Sequence, residues 1–371
     1  MSESFALMFN NGKNSLHKMC VDEHYMQRCL QLARCGAGST SPNPMVGAVI
    51  VCDGRIIGEG YHIRAGEPHA EVNAVNSVAE ADKPLLSRST MYVSLEPCSH
   101  YGKTPPCCDM IIARGIPRVV IGSADPNPQV DGAGIARMRA AGIDVTVGVL
   151  EEECLRLNSA FFTSQMYKRP YVTLKWAQSA DGYIDLLRDG GSAVRISSPV
   201  SQVAVHKLRA RHDAILVGRH TALLDDPSLD IRHWAGRAPL RLVIDKNCSL
   251  PAGLKMFDGV LPTVVYTACE KDSGFGKNVE QVVLDFDRPL IPQILEHLHS
   301  VKVNSLLVEG GATVLQSFIN ASLWDEARVE VNPSLELGDG VVAPSFPLES
   351  PHSREMLAGN EILRFYRQKT P

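Results

Sequence analysis

The sequence has no excess of basic residues. Its 371 residues include 37 Lys and Arg against 41 Asp and Glu, which gives a formal net charge of −4 at pH 7. Duplex nucleic acids and anionic membranes attract proteins through a surplus of positive charge. The composition therefore indicates neither partner, and we expect a small-molecule substrate, no nucleic acid and no membrane.

Long hydrophobic runs are also missing. No apolar run approaches the roughly 18 residues that a membrane-spanning helix needs. The first residues, MSESFALMFNNGKNSLHKM, contain neither the apolar region nor the small-residue cleavage site of a secretory signal. We therefore expect a cytoplasmic protein in which residues 1–20 form an N-terminal extension.

The ten cysteines are not expected to form a disulfide framework, because the sequence shows no export signal. They should instead be thiols or metal ligands. Most of them lie in the first part of the chain, at Cys20, Cys29, Cys35, Cys52, Cys98, Cys107 and Cys108. Any metal chemistry is therefore predicted in the N-terminal part.

The first region alternates strand and helix patterns after an opening hairpin. A helix is predicted from about Glu23 to Cys35, with Asp22 as its N-cap. Asp53-Gly54 is typical of a tight turn between two strands. The alternation predicts a three-layer α/β domain over residues 21–165. Its predicted strands are Met45–Cys52, Arg55–Tyr61, Thr90–Leu95, Arg118–Ser123 and Asp144–Val149, and its further helices are His69–Ala81, Pro106–Arg114, Gly132–Ala141 and Glu151 to about Phe162.

The length suggests two domains, with three as the alternative, at roughly 100–200 residues each. Gln165 to Pro170 is the predicted junction, and residues 166–371 form a second α/β pattern with its own sheet. No Gly-x-Gly-x-x-Gly follows a predicted strand, so a Rossmann domain has little support. The predicted strands are Tyr171–Ala177, Ala214–Val217, Leu240–Ile244, Thr263–Tyr266, Gln281–Leu284, Ser305–Val308, Glu326–Val331 and Ile362–Tyr366, and the helices are Ser201–Arg211, Ile291–His299 and Thr313–Ile319.

Three short segments of the first region carry a metal-ligand pattern. His69, Cys98 and Cys107 offer one imidazole and two thiolates, and each follows or precedes a predicted element boundary. A catalytic zinc takes three protein ligands and leaves the fourth position to water. We therefore predict a zinc site formed by these three residues, with Cys108 as a packed thiol and His100 as a pocket or surface residue.

Glu71 lies two residues after His69, at the start of a predicted helix. There its carboxylate can face a water on the zinc, take a proton from it and pass the proton to a leaving amine. This is the arrangement of zinc deaminases, in which the Glu is a general acid/base and not a ligand. Taken alone, His-Ala-Glu is more often a first helical turn with an exposed Glu; the order of all three segments favours the deaminase.

The zinc segment resembles one enzyme family in particular. Eight residues separate Cys98 from Cys107, and the stretch EPCSHYGKTPPC is similar to the deaminase half of the bifunctional riboflavin-biosynthesis deaminase/reductase family. The resemblance covers about residues 22–157. It implies a cytidine-deaminase-like fold with Asn43 and His62 in the deamination pocket. It also implies that Lys103, Asp125 and Asn127 hold the phosphoribosyl part of the substrate.

The second region contains Val308-Glu-Gly-Gly-Ala-Thr313, in which a strand leads through two glycines into a helix. Such a turn lets backbone N–H groups approach a phosphate, although a plain tight turn gives the same pattern. The segment also resembles the reductase half of the same family, together with LKWAQSADG (174–182), DAILVG (213–218) and TALLDDPSL (221–229). This resemblance covers about residues 170–330 and implies a dihydrofolate-reductase-like fold that uses NADPH.

The resemblance implies two groups of residues in the reductase half. The cofactor contacts are Ala177, Arg195, Thr221, Asp225, Gly311, Ala312 and Thr313. The substrate contacts are Arg209, Leu229, Arg232 and Glu309, where two arginines would clamp a phosphate. The chain departs from the family at Arg195, which stands where a Trp is usual, and at Ala193, which stands where a Ser is usual unless Ser192 takes that role. Asp185 and Asp230 also replace residues that are normally small or neutral.

These features predict a bifunctional enzyme of riboflavin biosynthesis with Zn²⁺ and NADPH as cofactors. Association into a homo-oligomer through the reductase domains is expected from the resemblance. Lys246 follows a predicted strand, and we predict that it pairs with the 2′-phosphate of NADPH; an exposed turn lysine is the alternative. The rival functions are a nucleoside or tRNA deaminase with an added domain and a zinc-stabilised metabolite sensor.

Overall fold

The structure, a computed structural model, describes residues 20–101, 105–125, 132–188, 190–272, 274–346 and 350–367. The chain forms two compact units whose boundary lies between Tyr167 and Lys168. Each unit has its own sheet and its own hydrophobic core. Among the described residues, no helix is both long and apolar enough to cross a membrane.

The first unit is built on a five-stranded sheet of order β2-β1-β3-β4-β5. Strand β1 is antiparallel to β2 and β3, whereas β3, β4 and β5 are parallel. The elements are α1 (residues 20–34), β1 (Gly47–Cys52), β2 (Arg55–Tyr61), α2 (Ala70–Asn76), a 3₁₀ helix (Glu80–Arg88), β3 (Thr90–Leu95), α3 (Cys107–Ala113), β4 (Arg118–Ser123), α4 (Ala133–Ala140), β5 (Asp144–Val147), α5 (Glu151–Leu157) and α6 (Ser159–Tyr167).

Both faces of this sheet are covered, because alternate side chains of β1 point to opposite sides. Ala48 and Ile50 pack into the core that includes α2, α3 and α4, whereas Val49 packs with residues of α1. Helix α2 lies so close to β2 that a Cβ at Gly60 would stand 2.3 Å from the backbone nitrogen of Ala74. This close contact fixes the start of α2, where the sequence places the zinc motif. The predicted three-layer fold is confirmed.

Three local predictions were wrong in the first unit. Asp22 lies inside α1 and not at its N-cap, because its buried carboxylate accepts hydrogen bonds from Arg118 and Tyr92. The helix predicted over 69–81 ends at Asn76 and is followed by a 3₁₀ helix. The helix predicted from Glu151 to Phe162 breaks at Asn158, whose side chain bonds both the N–H and the C=O of Met45.

The second unit contains a nine-stranded sheet of order β11-β10-β9-β8-β12-β6-β13-β16-β15 and a two-stranded sheet of β14 and β7. The strands are β6 (Tyr171–Ser179), β7 (Tyr183–Asp185), β8 (Ala214–Gly218), β9 (Leu240–Ile244), β10 (Thr263–Thr267), β11 (Val279–Val283), β12 (Ser305–Val308), β13 (Glu326–Asn332), β14 (Val341–Val342), β15 (Ser353–Leu357) and β16 (Asn360–Tyr366). The helices are α7 (Pro199–Arg209), α8 (Arg219–Asp225), α9 (Leu290–Ser300) and α10 (Ala312–Asn320), with a 3₁₀ turn at Lys255–Phe257.

Strands β13, β6, β12, β8 and β9 run parallel, so their carboxyl ends lie along one edge of the sheet. Ligands of open α/β sheets bind outside this edge. Cores on both faces support it, one including Trp176 and Phe318 and the other Val217 and Phe257. Four elements were missed from the sequence, namely β7, β14, β15 and α8. They are short, and β15 is mostly exposed, so none shows a clear alternation of apolar residues.

Candidate active sites

The three predicted metal ligands meet at the edge of the first sheet. His69 precedes α2, Cys98 follows β3, and Cys107 is the first residue of α3. Nδ1 of His69 lies 3.6 Å from Sγ of Cys98 and 3.4 Å from Sγ of Cys107. Zn–S bonds of about 2.3 Å and Zn–N bonds of about 2.0–2.1 Å at a tetrahedral angle separate sulfur from nitrogen by about 3.6 Å. The spacing of the donor atoms therefore fits a zinc ion.

The two thiols differ in acidity. The backbone N–H of Cys107 donates to Sγ of Cys98 at 3.3 Å. The pKa of Cys98 is lowered to about 4, chiefly by a hydrogen bond from the Cys107 thiol and further by His69 and this backbone N–H. Cys107 has a raised pKa because its proton is shared with the Cys98 thiolate and because it is buried. The pair therefore already carries one negative charge, and a divalent cation would favour the second thiolate as well.

Glu71 is the buried carboxyl group of this site. It lies in the first turn of α2, and its side chain contacts Cys107. Burial disfavours the carboxylate and raises its pKa to about 7, against the opposing charge of His69. A carboxyl group with a pKa near neutrality can both accept and return a proton. Glu71 is therefore suited to the proton transfer that the sequence predicted for it.

Asn43 and His62 form the neighbouring wall. Nδ1 of His62 lies 3.1 Å from the carbonyl oxygen of Pro68, which can only accept, so Nδ1 carries the proton. Nε2 is then an acceptor for Nδ2 of Asn43 at 3.1 Å. Burial lowers the pKa of His62 and keeps the ring neutral. The neutral His62 ring thus fixes which end of the Asn43 amide faces it, namely the NH2 group.

Asp125 is held by Glu96, a buried residue that the sequence analysis did not select. The Glu96 carboxylate accepts four backbone N–H groups, from Asp125, Gly132, Gly134 and Ile135, at 3.0–3.2 Å. Glu96 lies two residues before Cys98, so one carboxylate ties the zinc segment to the start of α4. Lys103 and Asn127, which the sequence also predicted near the phosphoribosyl group, lie outside the described residues.

Neither Cys108 nor His100 belongs to the group of metal donors among the described residues. Cys108 is fully buried in the core, where burial raises its pKa to about 11. His100 is exposed. The described residues that can jointly hold a metal ion are His69, Cys98 and Cys107.

The second unit has a cleft of about 890 Å³ at the carboxyl edge of its sheet. Most predicted cofactor contacts line it: Ala177, Arg195, Thr221, Asp225, Gly311, Ala312 and Thr313. Glu309 lines it as well. This volume accommodates a dinucleotide with a substrate beside it.

The turn after β12 forms a cradle that only glycine allows. A Cβ at Gly310 would stand 2.8 Å from Val217, and Gly311 has a φ of +68°. Thr221 lies close by, since a Cβ at Gly311 would be 3.3 Å from its hydroxyl oxygen. Helix α10 begins directly afterwards and offers its first N–H groups to an anion. The cradle fits the pyrophosphate of a dinucleotide cofactor.

The predicted phosphate clamp has internal partners. Arg209 donates to both oxygens of Glu309, at 3.1 and 2.6 Å, and to the carbonyl of Asp230 at 3.2 Å. Burial alone would raise the pKa of Glu309, but the charge of Arg209 lowers it. Arg232 is largely exposed and bonds the Asp230 carboxylate at 3.1 Å. Both arginines are thus linked through Asp230, whereas Leu229 is buried in the core.

Charged residues that the sequence analysis missed also line the cleft. Lys175 lies there beside Glu309, and burial lowers its pKa. Arg188 donates to Asp185 at 2.7 Å and to Asp225 at 2.6 Å, so it bridges β7 and the end of α8. Arg219 follows β8 directly. These residues gave no signal in the sequence, because a lysine or arginine that faces a cleft is the same residue type as one that faces solvent.

Comparisons with known proteins decide between the candidate families. Residues 19–123 match the family model of the cytidine and deoxycytidylate deaminase zinc-binding region, and residues 170–358 match that of the RibD C-terminal domain. The chain is 41% identical to the riboflavin biosynthesis protein RibD of Aquifex aeolicus, over 86% of this chain and 89% of that protein. It is 40% identical to RibD of Escherichia coli, over 85% and 88% respectively.

The chain belongs to the RibD family.

A solved structure agrees with this assignment along both units. The diaminohydroxyphosphoribosylaminopyrimidine deaminase/5-amino-6-(5-phosphoribosylamino)uracil reductase of Thermotoga maritima has a TM-score of 0.87 and 36% identity, and the match covers 94% of this chain and 99% of that one. As a RibD protein, the chain is a bifunctional deaminase and reductase of riboflavin biosynthesis. Its cofactors are Zn²⁺ and NADPH, as the sequence predicted.

Of the positions at which the chain departs from the expected family pattern, Asp185, Ala193 and Arg195 line the cleft, whereas Asp230 does not. Ser192 does not line it either. Ser197 donates to the buried carboxylate of Glu330 at 2.8 Å, and Asn360 donates to the same group at 2.6 Å. This network holds the segment around Arg195 against β13 and β16. Arg195 therefore stands on a fixed backbone although its residue type is unusual for the family.

Lys246 is placed differently from the other predicted cofactor contacts. It is exposed after β9, and its Nζ lies 5.7 Å from the centroid of the Phe286 ring. It is not among the residues that line the cleft. Its predicted role at the 2′-phosphate stays a prediction.

Proposed function

We propose that this RibD protein deaminates 2,5-diamino-6-(5-phosphoribosylamino)pyrimidin-4-one and then reduces the ribosyl chain of the product to a ribityl chain. The observation that carries the first step is the position of the buried Glu71 carboxyl group beside the His69, Cys98 and Cys107 donors. The name of the Thermotoga maritima relative, a diaminohydroxyphosphoribosylaminopyrimidine deaminase and 5-amino-6-(5-phosphoribosylamino)uracil reductase, supports the same substrates.

In the first step, water replaces the exocyclic amine and ammonia leaves. Bound zinc supplies the activation of the attacking water. Glu71 takes the proton that the water loses and delivers it to the departing amine, which leaves the carboxyl group ready for the next cycle. Asn43 orients the pyrimidine through its amide, held by His62, and Asp125 receives the phosphoribosyl part.

In the second step, NADPH supplies a hydride to C1 of the opened ribose, and the protein provides position and charge. Gly311, Ala312 and Thr313 bind the pyrophosphate, and Thr221 and Ala177 line the path of the cofactor. Glu309 faces the substrate from the end of β12. Arg209 keeps that carboxylate ionised and in place, and Arg232 is free to exchange its exposed pairing with Asp230 for the substrate phosphate.

The test measures ammonia release and NADPH oxidation by the purified full chain on the diaminopyrimidine substrate. Removal of zinc with a chelator should abolish ammonia release, while NADPH oxidation on supplied deaminated product should continue. Turnover of cytidine or RNA in place of this substrate would instead favour the nucleoside or tRNA deaminase. Stoichiometric zinc without ammonia release would favour the metabolite sensor. Association through the reductase units remains a prediction, and measurement of the mass in solution checks it.

A further inference from the structure

The cleft of the reductase unit contains a cation that neither the sequence patterns nor the family comparison assigns. Arg219 is the residue directly after β8, between Gly218 and the predicted cofactor contact Thr221. Its side chain is 46% exposed and lines the cleft.

Contacts on one side of the guanidinium fix its position. Nε of Arg219 donates to the hydroxyl of Ser249 at 2.9 Å and lies 3.5 Å from the carboxylate of Asp245. Asp245 is itself rigidly held, because it is fully buried and accepts the backbone N–H groups of Ser249 and Leu250 at 2.6 and 2.8 Å. The side chain is therefore oriented before any ligand arrives, which reduces the entropy lost on binding.

The two terminal nitrogens are left for a ligand. Within the part of the chain that the structure describes, the bonds of Arg219 are made by Nε, and none is made by Nη1 or Nη2. Two such nitrogens in one plane match two oxygens of a phosphate group. Arg188, by contrast, uses all its nitrogens on Asp185, Asp225 and the carbonyl of Gly191. Arg219 thus differs from its neighbour in being free to bind an anion.

The order of the strands indicates which anion this is. Along the carboxyl edge, β6 carries Ala177, β12 carries the Gly310-Gly311 cradle, β8 carries Arg219, and β9 follows next. If the cradle holds the pyrophosphate and the reacting end lies toward β6 and Glu309, the adenosine end extends toward β8 and β9. Adjacent strands are about 4.8 Å apart, so Arg219 stands within one or two strand spacings of the cradle, on the adenosine side.

We propose that Arg219 selects NADPH over NADH by pairing its free guanidinium nitrogens with the 2′-phosphate. The proposal rests on the cleft being the NADPH site described above. It differs from the role predicted for Lys246, whose ammonium lies over Phe286, outside the cleft lining. Arg219 contacts Asp245, whereas Lys246 follows Asp245 in the sequence. Substitution of each residue in turn distinguishes the two assignments.

The experiment measures the dissociation constants of NADPH, NADH and 2′,5′-ADP for the full chain at low and moderate salt. Arg219→Ala should weaken binding of NADPH and 2′,5′-ADP by about ten- to a hundredfold and binding of NADH by no more than about twofold. The salt dependence of NADPH binding should fall in the same variant, because one phosphate contact is lost. Arg219→Lys should retain part of the selectivity, and Lys246→Ala, which tests the competing assignment, should retain nearly all of it.

Three results would overturn the inference. Equal losses of NADPH and NADH in Arg219→Ala would mean that Arg219 only supports the cleft. Loss of selectivity in Lys246→Ala with retention in Arg219→Ala would assign the 2′-phosphate to Lys246. Unchanged selectivity in both Arg219→Lys and Arg219→Ala would exclude Arg219. If the unmodified chain bound neither cofactor, the assignment of the cleft itself would fail. Ammonia release and the melting temperature, measured on each preparation, show that the variants are folded.

Discussion

The two active sites of this RibD protein are built for ligands of different size and charge. In the deaminase unit, three donor atoms lie within 4.8 Å of one another and are set by the ends of α2, β3 and α3. In the reductase unit, the cleft holds acidic residues that are each paired with an arginine, such as Glu309 with Arg209 and Asp225 with Arg188. A small ion demands fixed geometry, whereas a large anionic ligand demands a balance of charge. We therefore expect the first site to tolerate fewer substitutions than the second.

The largest effect is expected from Cys98→Ser. Loss of one of two thiolates should abolish zinc binding and ammonia release, and it should lower the melting temperature of the first unit, since metal binding and folding are coupled. NADPH oxidation on supplied deaminated product should persist. Cys108→Ala is the matched control, because Cys108 lies in the core and is not a predicted ligand. This variant should keep its zinc. Equal zinc content in Cys98→Ser and the unmodified chain, measured by elemental analysis, would remove Cys98 from the ligand set.

Glu71→Gln should separate proton transfer from metal binding. The three ligands remain, so zinc content should be unchanged. Without a carboxyl group to carry the proton, ammonia release should fall by about 10²- to 10⁴-fold. Steady-state assays together with zinc analysis check both parts. Ammonia release near that of the unmodified chain would show that another group moves the proton.

Arg209→Ala tests whether the ion pair of Arg209 with Glu309 stabilises the reductase site. Removal of the guanidinium leaves Glu309 buried without its partner, which should cost about 3–5 kcal/mol in the free energy of unfolding of this unit. Reduction of supplied deaminated substrate should fall while ammonia release stays intact. Chemical denaturation and the two activity assays measure these effects.

The double variant Arg209→Met, Glu309→Gln should recover most of that stability and none of the reductase activity. Its recovery would attribute the loss in Arg209→Ala to the uncompensated carboxylate. If folded Arg209→Ala lost both activities in parallel, the deaminase and reductase sites would not act independently.

The smallest effect is expected from Arg188→Ala. The change turns a net charge of −1 on Arg188, Asp185 and Asp225 into −2 at the cleft, and it should weaken NADPH binding by up to about tenfold. The loss should shrink as salt is added. Arg188→Ala combined with Asp185→Asn restores the net charge and should restore much of the affinity. A loss that persists in the double variant at high salt would show that Arg188 acts through packing and not through charge.

Helices and strands could be predicted from the sequence where residues close together in the chain determine them. Strands such as Thr90–Leu95 and Leu240–Ile244 were predicted at the bounds that the structure has, because apolar runs between turn residues define them. The predicted N-cap at Asp22 failed because its carboxylate pairs with Arg118, far along the chain. The prediction of one continuous helix through Asn158 was wrong for the same reason, since the Asn158 side chain bonds the backbone N–H and C=O of Met45. Distant pairings of this kind leave no pattern in the sequence.

The same distinction applies to the two sites. His69, Glu71, Cys98 and Cys107 could be selected from the sequence because zinc chemistry requires those residue types in a recognisable order. The ion pair of Arg209 with Glu309 could not, although each residue was selected singly through the family resemblance. Glu96, Arg188 and Arg219 were missed, because their roles depend on which backbone groups and carboxylates the fold brings to them.

The four backbone N–H groups that donate to Glu96 have a consequence for which changes in sequence the deaminase unit can accommodate. Asp125 and Gly132 are bound to the same carboxylate, so the two ends of the intervening segment stay at a fixed separation whatever its sequence is. The entropy of closing a loop between fixed ends rises only slowly with its length. We therefore expect a change in the length of this segment to cost the zinc ligands little. A single buried carboxylate thereby separates changes in that segment from the geometry of the zinc ligands.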